Sequence, residues 1–362
     1  MAKPLVLDLH IPYCIRPENY LNHYNAVGSN EEKNRYMEAL RREVLSYEGE
    51  LDDYEIRAVH LSGGAASVMS PDLLGGVLRT VRQHLPVVRG AEVSYDSLPV
   101  TIGTPSLTGI AAGHPNRTEL MMRSNDDAEL RALNCPHNAQ NIRNAMLFFA
   151  KFHLNNVGIT LNYGIPGQTM QSWHNTLHAV VIMNPGHITA EPLAVTDAEG
   201  MPAEEERFAM FRHACEYLQE SGYRMYAAGC FARPGYEYRA RAMDWNGDEV
   251  IGMGVNGGSV YDGYAVRNTN NLKLYIQNAG DFEKLTAQAA QLDENALMLR
   301  YLQGRMHLTD GVSQELFAAR FGKEIPAEFL AQLEKAAESG LAEKTAAGWQ
   351  PTLEGMFRGN IL

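Results

Sequence analysis

Val157-Gly158-Ile159-Thr160-Leu161-Asn162-Tyr163-Gly164-Ile165-Pro166-Gly167-Gln168-Thr169 decides the fold. Val157–Leu161 is a short apolar run with β-branched residues, the composition of a buried strand. Gly164-Ile165-Pro166-Gly167 then breaks the chain, and a helical pattern runs on through Met183. A buried strand passing through a short turn into a helix is one half of a parallel βαβ unit.

The same unit recurs on both sides. Upstream, Leu5–Leu9 precedes a helix over 34–46, and Arg57–Leu61 ends in Ser62-Gly63-Gly64 before a helix opened by Ser70-Pro71. Glu92–Tyr95 and Glu119–Met122 are further strands, the latter followed by helices over 126–133 and 139–152. Downstream, His187–Ala190 precedes a long amphipathic helix over 204–221. Six such units predict an α/β fold, a partial or full parallel (β/α) barrel over 1–222. Tyr, Gly and Arg then crowd a barrel extension over 223–291. From Leu292 to 362 the chain turns Leu/Ala/Glu-rich, predicting a helical, winged-helix-like module with a hairpin around Gly348. That module holds seven Lys/Arg against ten Asp/Glu, so a packing role is expected of it rather than DNA binding.

Thirty-one basic against 43 acidic residues leave a net charge of -12, which disfavours nucleic acid as a partner. No apolar run reaches the ~18 residues of a membrane span, and Asp8 and His10 interrupt the first apolar stretch, so a cytoplasmic protein is expected. The four cysteines, Cys14, Cys135, Cys215 and Cys230, are scattered without any C-x-x-C.

The motifs in order carry a resemblance. His10-Ile11-Pro12-Tyr13-Cys14, Ser62 through Ser67, Asp96 and Pro99, Arg117 through Ser124, Tyr163 through Thr169, Trp173, Phe231-Ala232-Arg233-Pro234-Gly235 and Gly252-Met253-Gly254 fall in register. Together they resemble the radical SAM family of oxygen-independent coproporphyrinogen III oxidase and the heme chaperone, over nearly the whole chain. The resemblance implies a barrel that holds a 4Fe-4S cluster on a C-x3-C-x2-C loop and S-adenosylmethionine in the barrel mouth. Against that pattern Cys14 is followed by Glu18 and Leu21 at the second and third ligand positions, and leucine cannot ligate iron. Ala65-Ala66 replace the family's Thr-Pro, Thr160 its Asp, Asp96 its Glu, and Arg123 its Gln. The heme chaperone's His-Asn-x-x-Tyr-Trp reads Ala240-Arg241-Ala242-Met243-Asp244-Trp245.

These departures lead to a definite set of expectations. The chain is expected to be a cluster-less relative, without 4Fe-4S cluster or S-adenosylmethionine, acting as a non-radical ligand-binding protein or partner subunit. Two alternatives stand beside it: an enzyme with cluster-independent chemistry in the barrel mouth, or an atypical radical SAM oxidoreductase linked to tetrapyrrole metabolism. Arg123, Asp96, Thr160, Gly63, Gly64 and Glu191 are the expected ligand-binding residues, at strand ends where barrel sites lie. Arg123 is expected to point inward, to pair with Asp96 or another carboxylate, and to repel a sulfonium. At ~5 Å and an effective dielectric near 20 that repulsion is about 3 kcal/mol, some two orders of magnitude in affinity. The expected ligand is therefore small and anionic, with a protein partner as a further expectation. Cys14, Glu18 and His23, with His10, are weak zinc candidates.

Overall fold

The computed structural model describes residues 2–20, 26–195 and 197–362. The barrel half runs β1 (Lys3–Ile11), α1 (Asn30–Ser46), β2 (Tyr54–Gly63), α2 (Pro71–His84), β3 (Val87–Ser97), α3 (Thr104–Ala111), β4 (Arg117–Arg123), α4 (Asp127–Ala132), α5 (Ala139–Lys151), β5 (Val157–Tyr163), α6 (Met170–Met183), β6 (His187–Pro192) and α7 (Glu204–Glu220). Strands β1 to β6 are parallel neighbours in sequence order. The strands read from the sequence are all present and longer than read, and α3 was not anticipated.

Local chemistry explains the units. Thr169 caps α6 by accepting from the Ser172 backbone N–H, while Ser172 caps back onto Thr169. Asn184 ends that helix in the left-handed region at φ 54°. Behind it Trp173 is wholly buried and donates its indole N–H to the Met210 carbonyl at 2.8 Å. Two apolar layers result. Helices α1 and α2 pack on β1–β3 through Leu40, Val44, Leu74 and Leu78, and α5–α7 pack on β4–β6 through Phe149, Leu177 and Phe211.

The extension adds β7 (Arg224–Ala227), β8 (Cys230–Ala232), α8 (Arg239–Trp245), β9 (Glu249–Met253), β10 (Gly258–Tyr261), β11 (Tyr264–Asn268), α9 (Leu272–Asn278), α10 (Phe282–Leu285) and β12 (Thr286–Gln291). Among the described residues twelve strands form one sheet, ordered β12-β11-β10-β9-β1-β2-β3-β4-β5-β6-β8-β7. β9 joins β1 in parallel and β8 joins β6 antiparallel, so the barrel is partial, with two distinct edges.

The last segment holds α11 (Glu294–Arg305), α12 (Gln314–Phe321), α13 (Ala327–Glu338), the hairpin β13 (Ala342–Lys344) and β14 (Trp349–Pro351), and α14 (Leu353–Arg358). These elements surround their own apolar cluster of Leu302, Phe317, Phe329, Leu333 and Trp349. Arg300 reaches Asp244 at 2.6 Å, Arg320 reaches Asp248 at 3.3 Å, and His307 stacks on Trp245. The module's arginines thus anchor it to α8 and the turn after it. No helix among the described residues is long and apolar enough to cross a membrane.

Candidate functional site at the barrel mouth

Alternation along a strand sends every second side chain to one face. On β1 this gives Val6, Asp8 and His10; on β2, His60 and Ser62; on β4, Glu119, Met121 and Arg123; on β6, Thr189 and Glu191. With Gly63, Asp96, Thr160 and, from the extension, Tyr238, Arg241 and Asp244, they line a cavity of about 370 Å³ at the C-terminal ends of the strands. Gly63 holds φ 111° there, and a Cβ would strike the Ile11 carbonyl, so only glycine closes this turn.

Beneath the cavity lies a buried charge network. Arg117, whose side chain is wholly buried, donates to Glu119 Oε1 at 2.6 Å and lies 3.6 Å from Glu92 Oε2. Its guanidinium stacks over the Tyr238 ring, and it also donates to the Tyr236 carbonyl at 2.9 Å. Burial holds the Glu119 carboxyl above its ordinary range despite Arg117. Burial, with Arg117 and Arg241, pushes the His187 imidazole well below its ordinary value, so it stays neutral beside Tyr226. Gly158 on β5 leaves the space that the Glu119 carboxylate occupies; a Cβ there would collide with both of its oxygens. Gly158→Ala is therefore expected to cost about 1–3 kcal/mol by overpacking, read as a lowered thermal midpoint.

Higher in the cavity three charged groups are fixed. His60 Nδ1 sits 2.9 Å from Ser94 Oγ, and its Nε2 lies 3.6 Å from Asp96 Oδ1. Burial alone would lower the His60 pKa; Asp96, then Asp8 and Glu119, outweigh it and raise the value. Arg241 meets Glu191 at 2.7 Å. Arg123 stands at φ 66° at a bulge between Met121 and Arg123, opposite Leu161 of β5, and this backbone aims its side chain at the loop after β1. There it meets Glu18 Oε2 at 3.0 Å from Nη2 and 3.2 Å from Nε, with Nη1 near Asn162 Oδ1. Asp8 Oδ1 is shielded from solvent and receives no hydrogen bond.

Of the residues singled out from the sequence, Arg123, Asp96, Thr160, Gly63 and Glu191 share this cavity, as does His10. Gly64 does not line it; its N–H is spent on the Ile11 carbonyl at 2.8 Å. Asp96 and Arg123 do not neutralise each other, because each has a nearer partner in His60 and Glu18. Cys14 is buried, its thiol against the Ala26 carbonyl, and burial followed by Glu18 pushes its pKa up. Glu18 is taken by Arg123, and His23, like Leu21, lies outside the described residues. Sequence reasoning missed His60 and Glu119. Both stand at alternate strand positions whose polarity against apolar neighbours was the available signal.

Comparison with known proteins adds the following. Residues 292–358 match the HemN C-terminal domain. The heme chaperone HemW of Escherichia coli (strain K12) is 23% identical, over 99% of this chain and 97% of that protein. The radical S-adenosyl methionine domain-containing protein 1, mitochondrial, of Danio rerio is 24% identical over 68% of this chain and 58% of its own. In fold the chain matches the coproporphyrinogen III oxidase (HemN) of Escherichia coli, described as a radical SAM enzyme, with a TM-score of 0.85 and 20% identity, over 99% of this chain and 89% of that one.

The expectation that a 4Fe-4S cluster and S-adenosylmethionine are absent is overturned by these likenesses to radical SAM proteins. The repulsion argument behind it also fails physically. The Arg123 charge is committed to Glu18, and Asp8, Asp96, Glu119, Glu191 and Asp244 bring five carboxylates to the cavity against the two guanidinium groups of Arg123 and Arg241. The donors for a cluster are a separate matter. Among the described residues Cys14 is the thiol at a family ligand position, the next position carries the Glu18 carboxylate, and three thiols do not converge. This donor set does not fit a cluster by itself.

Proposed function

Because this chain belongs to the radical SAM family of HemN- and HemW-like proteins, we propose that its barrel mouth binds a zwitterionic small molecule of the S-adenosylmethionine class, a fixed cation that also bears a carboxylate. The observation that carries this reading is the charge layout of the 370 Å³ cavity, where carboxylates outnumber guanidinium groups and Asp8 keeps a buried oxygen without a hydrogen bond. A wall with a buried, unpaired carboxylate oxygen favours a cation. A simple anion, the expectation from sequence, would face that wall unaided; a carboxylate joined to a cation would not.

Each residue has a part in this account. Asp8 and Asp96 face the cation, and Arg241 presents a donor to the carboxylate. Thr160 and Thr189 supply hydroxyls, and the glycine turn at Gly63 lets the backbone approach. His60, held by Ser94 and Asp96, can take or release a proton at the cavity wall. S-adenosylmethionine, when bound, would supply its sulfonium as the cation and an electrophilic carbon.

Two measurements test this. S-adenosylmethionine should raise the unfolding temperature of the protein in a concentration-dependent way, approaching about 2.7 kcal/mol of added stability at a hundred times Kd. Stabilisation by hemin and not by S-adenosylmethionine would replace this reading with the tetrapyrrole one that the relatives' names bring forward. The second is pH dependence. Protonated His60 competes with a bound cation, so affinity should increase as pH rises through the raised His60 pKa, and His60→Gln should flatten that dependence. An affinity that falls over the same interval would contradict the assignment.

A further inference from the structure

Outside the mouth, on the far side of Arg123, three side chains from separate segments converge. Glu18 comes from the loop after β1, and Cys135 and His137 from the turn between α4 and α5. One donor atom from each, a carboxylate oxygen, a thiol sulfur and an imidazole nitrogen, lie within 4.8 Å of one another. Cys135 is 2% and His137 5% exposed, and the Glu18 side chain is 10% exposed.

We propose that Glu18, Cys135 and His137 form a mononuclear divalent-metal site of the zinc type. Sulfur, nitrogen and oxygen together are a donor set that zinc accepts, with a fourth position left for water. His137 Nδ1 is buried and makes no hydrogen bond, while Nε2 lies 3.1 Å from the Met122 carbonyl. Glu18 Oε1 is likewise shielded and receives no hydrogen bond from nitrogen or oxygen, while Oε2 is held by Arg123. A metal-binding histidine donates its other ring N–H to a carbonyl, and a ligating carboxylate is held by its second oxygen. Both outer contacts are in place here; His137 Nδ1 is left without the partner that buried polar atoms ordinarily have, and the Cys135 thiol is the hydrogen-bonding neighbour of Glu18 that a metal would replace.

The turn that carries two of the ligands is itself fixed. Asn134 adopts φ 56°, the Cys135 N–H bonds the Leu130 carbonyl, and Arg16 donates to the Asn134 and Cys135 carbonyls. Arg16 and Arg123 are the cations near the site, and Glu18 offsets Arg123 directly. Burial and Glu18 keep the Cys135 thiol protonated in the absence of metal, so binding must release that proton. This site does not depend on the reading of the mouth given above.

The test uses the full chain freed of metal and dialysed against zinc. One zinc per chain is expected, with Cys135→Ser and His137→Gln each weakening binding about a hundredfold or more, at or above the top of the 10–100-fold range for losing an outer contact. Cobalt substitution gives a second readout, a thiolate-to-cobalt charge-transfer band that disappears in Cys135→Ser and survives in Cys14→Ser. Circular dichroism establishes that each variant is folded; should Cys135→Ser fail, His137→Gln and Glu18→Gln decide the matter by the same zinc measurement. Zinc below one per chain, a cobalt band that follows Cys14 and not Cys135, or several irons with sulfide bound irrespective of Cys135 would overturn the proposal.

Discussion

Replacing Arg117 by Met should destabilise the protein by about 3–5 kcal/mol near neutral pH, the cost of removing one partner from a buried ion network. Arg117 is the cation between Glu119 and Glu92, and its side chain has no exposure to water. Its loss leaves the Glu119 and Glu92 carboxylates without their contacting guanidinium, beside neutral His187 and Tyr238, with Arg241 as a more distant cation and the Ala240 N–H on Glu92. The penalty is for charge, so it must shrink when the carboxylates protonate. Burial already holds the Glu119 pKa high, and the loss in Arg117→Met should diminish as pH falls toward that raised value. Denaturant unfolding at two pH values reads this directly. A loss below 1 kcal/mol, or one that grows on acidification, would show that the network does not support the mouth.

The contrast between strands and partners explains how much the sequence disclosed. Val157–Leu161 and its counterparts are legible because burial on both faces leaves an apolar run, and the turn residues that follow are local chemistry. Arg123 was legible as an inward residue from the position the family resemblance gave it at the end of its strand. Its partner was not, because Glu18 arrives on a loop 105 residues earlier in the chain and the bulge at Met121 decides where the guanidinium points. Asp96 lines the mouth, and of the two pairings expected for Arg123, Asp96 or another carboxylate, the structure takes the second, because His60 on the neighbouring strand holds Asp96. The partial closure of the barrel depends on β9 and β8 joining the two edges, long-range pairings that no local pattern announces. A guanidinium paired with a carboxylate no longer repels a sulfonium as a free charge would, so Arg123 on Glu18 does not exclude S-adenosylmethionine.

The second large effect is expected at Asp8. Its Oδ1 is buried in the cavity wall without a hydrogen bond, so it is the carboxylate most available to a cation. At ~5 Å and an effective dielectric near 20 one such attraction is about 3 kcal/mol. Asp8→Asn should therefore weaken S-adenosylmethionine binding between about tenfold and a hundredfold, and should barely alter binding of its neutral thioether analogue, S-adenosylhomocysteine. The comparison isolates charge from shape. Equal losses for both ligands would mean that Asp8 shapes the cavity and does not recognise a cation.

The central claim, that this mouth recognises a cation bearing a carboxylate, is tested most directly by calorimetric titration of the unmodified protein. Saturable micromolar binding of S-adenosylmethionine is expected, with S-adenosylhomocysteine about tenfold weaker and a simple tricarboxylate giving no saturable heat. No binding of S-adenosylmethionine, together with saturable binding of the tricarboxylate, would contradict the account.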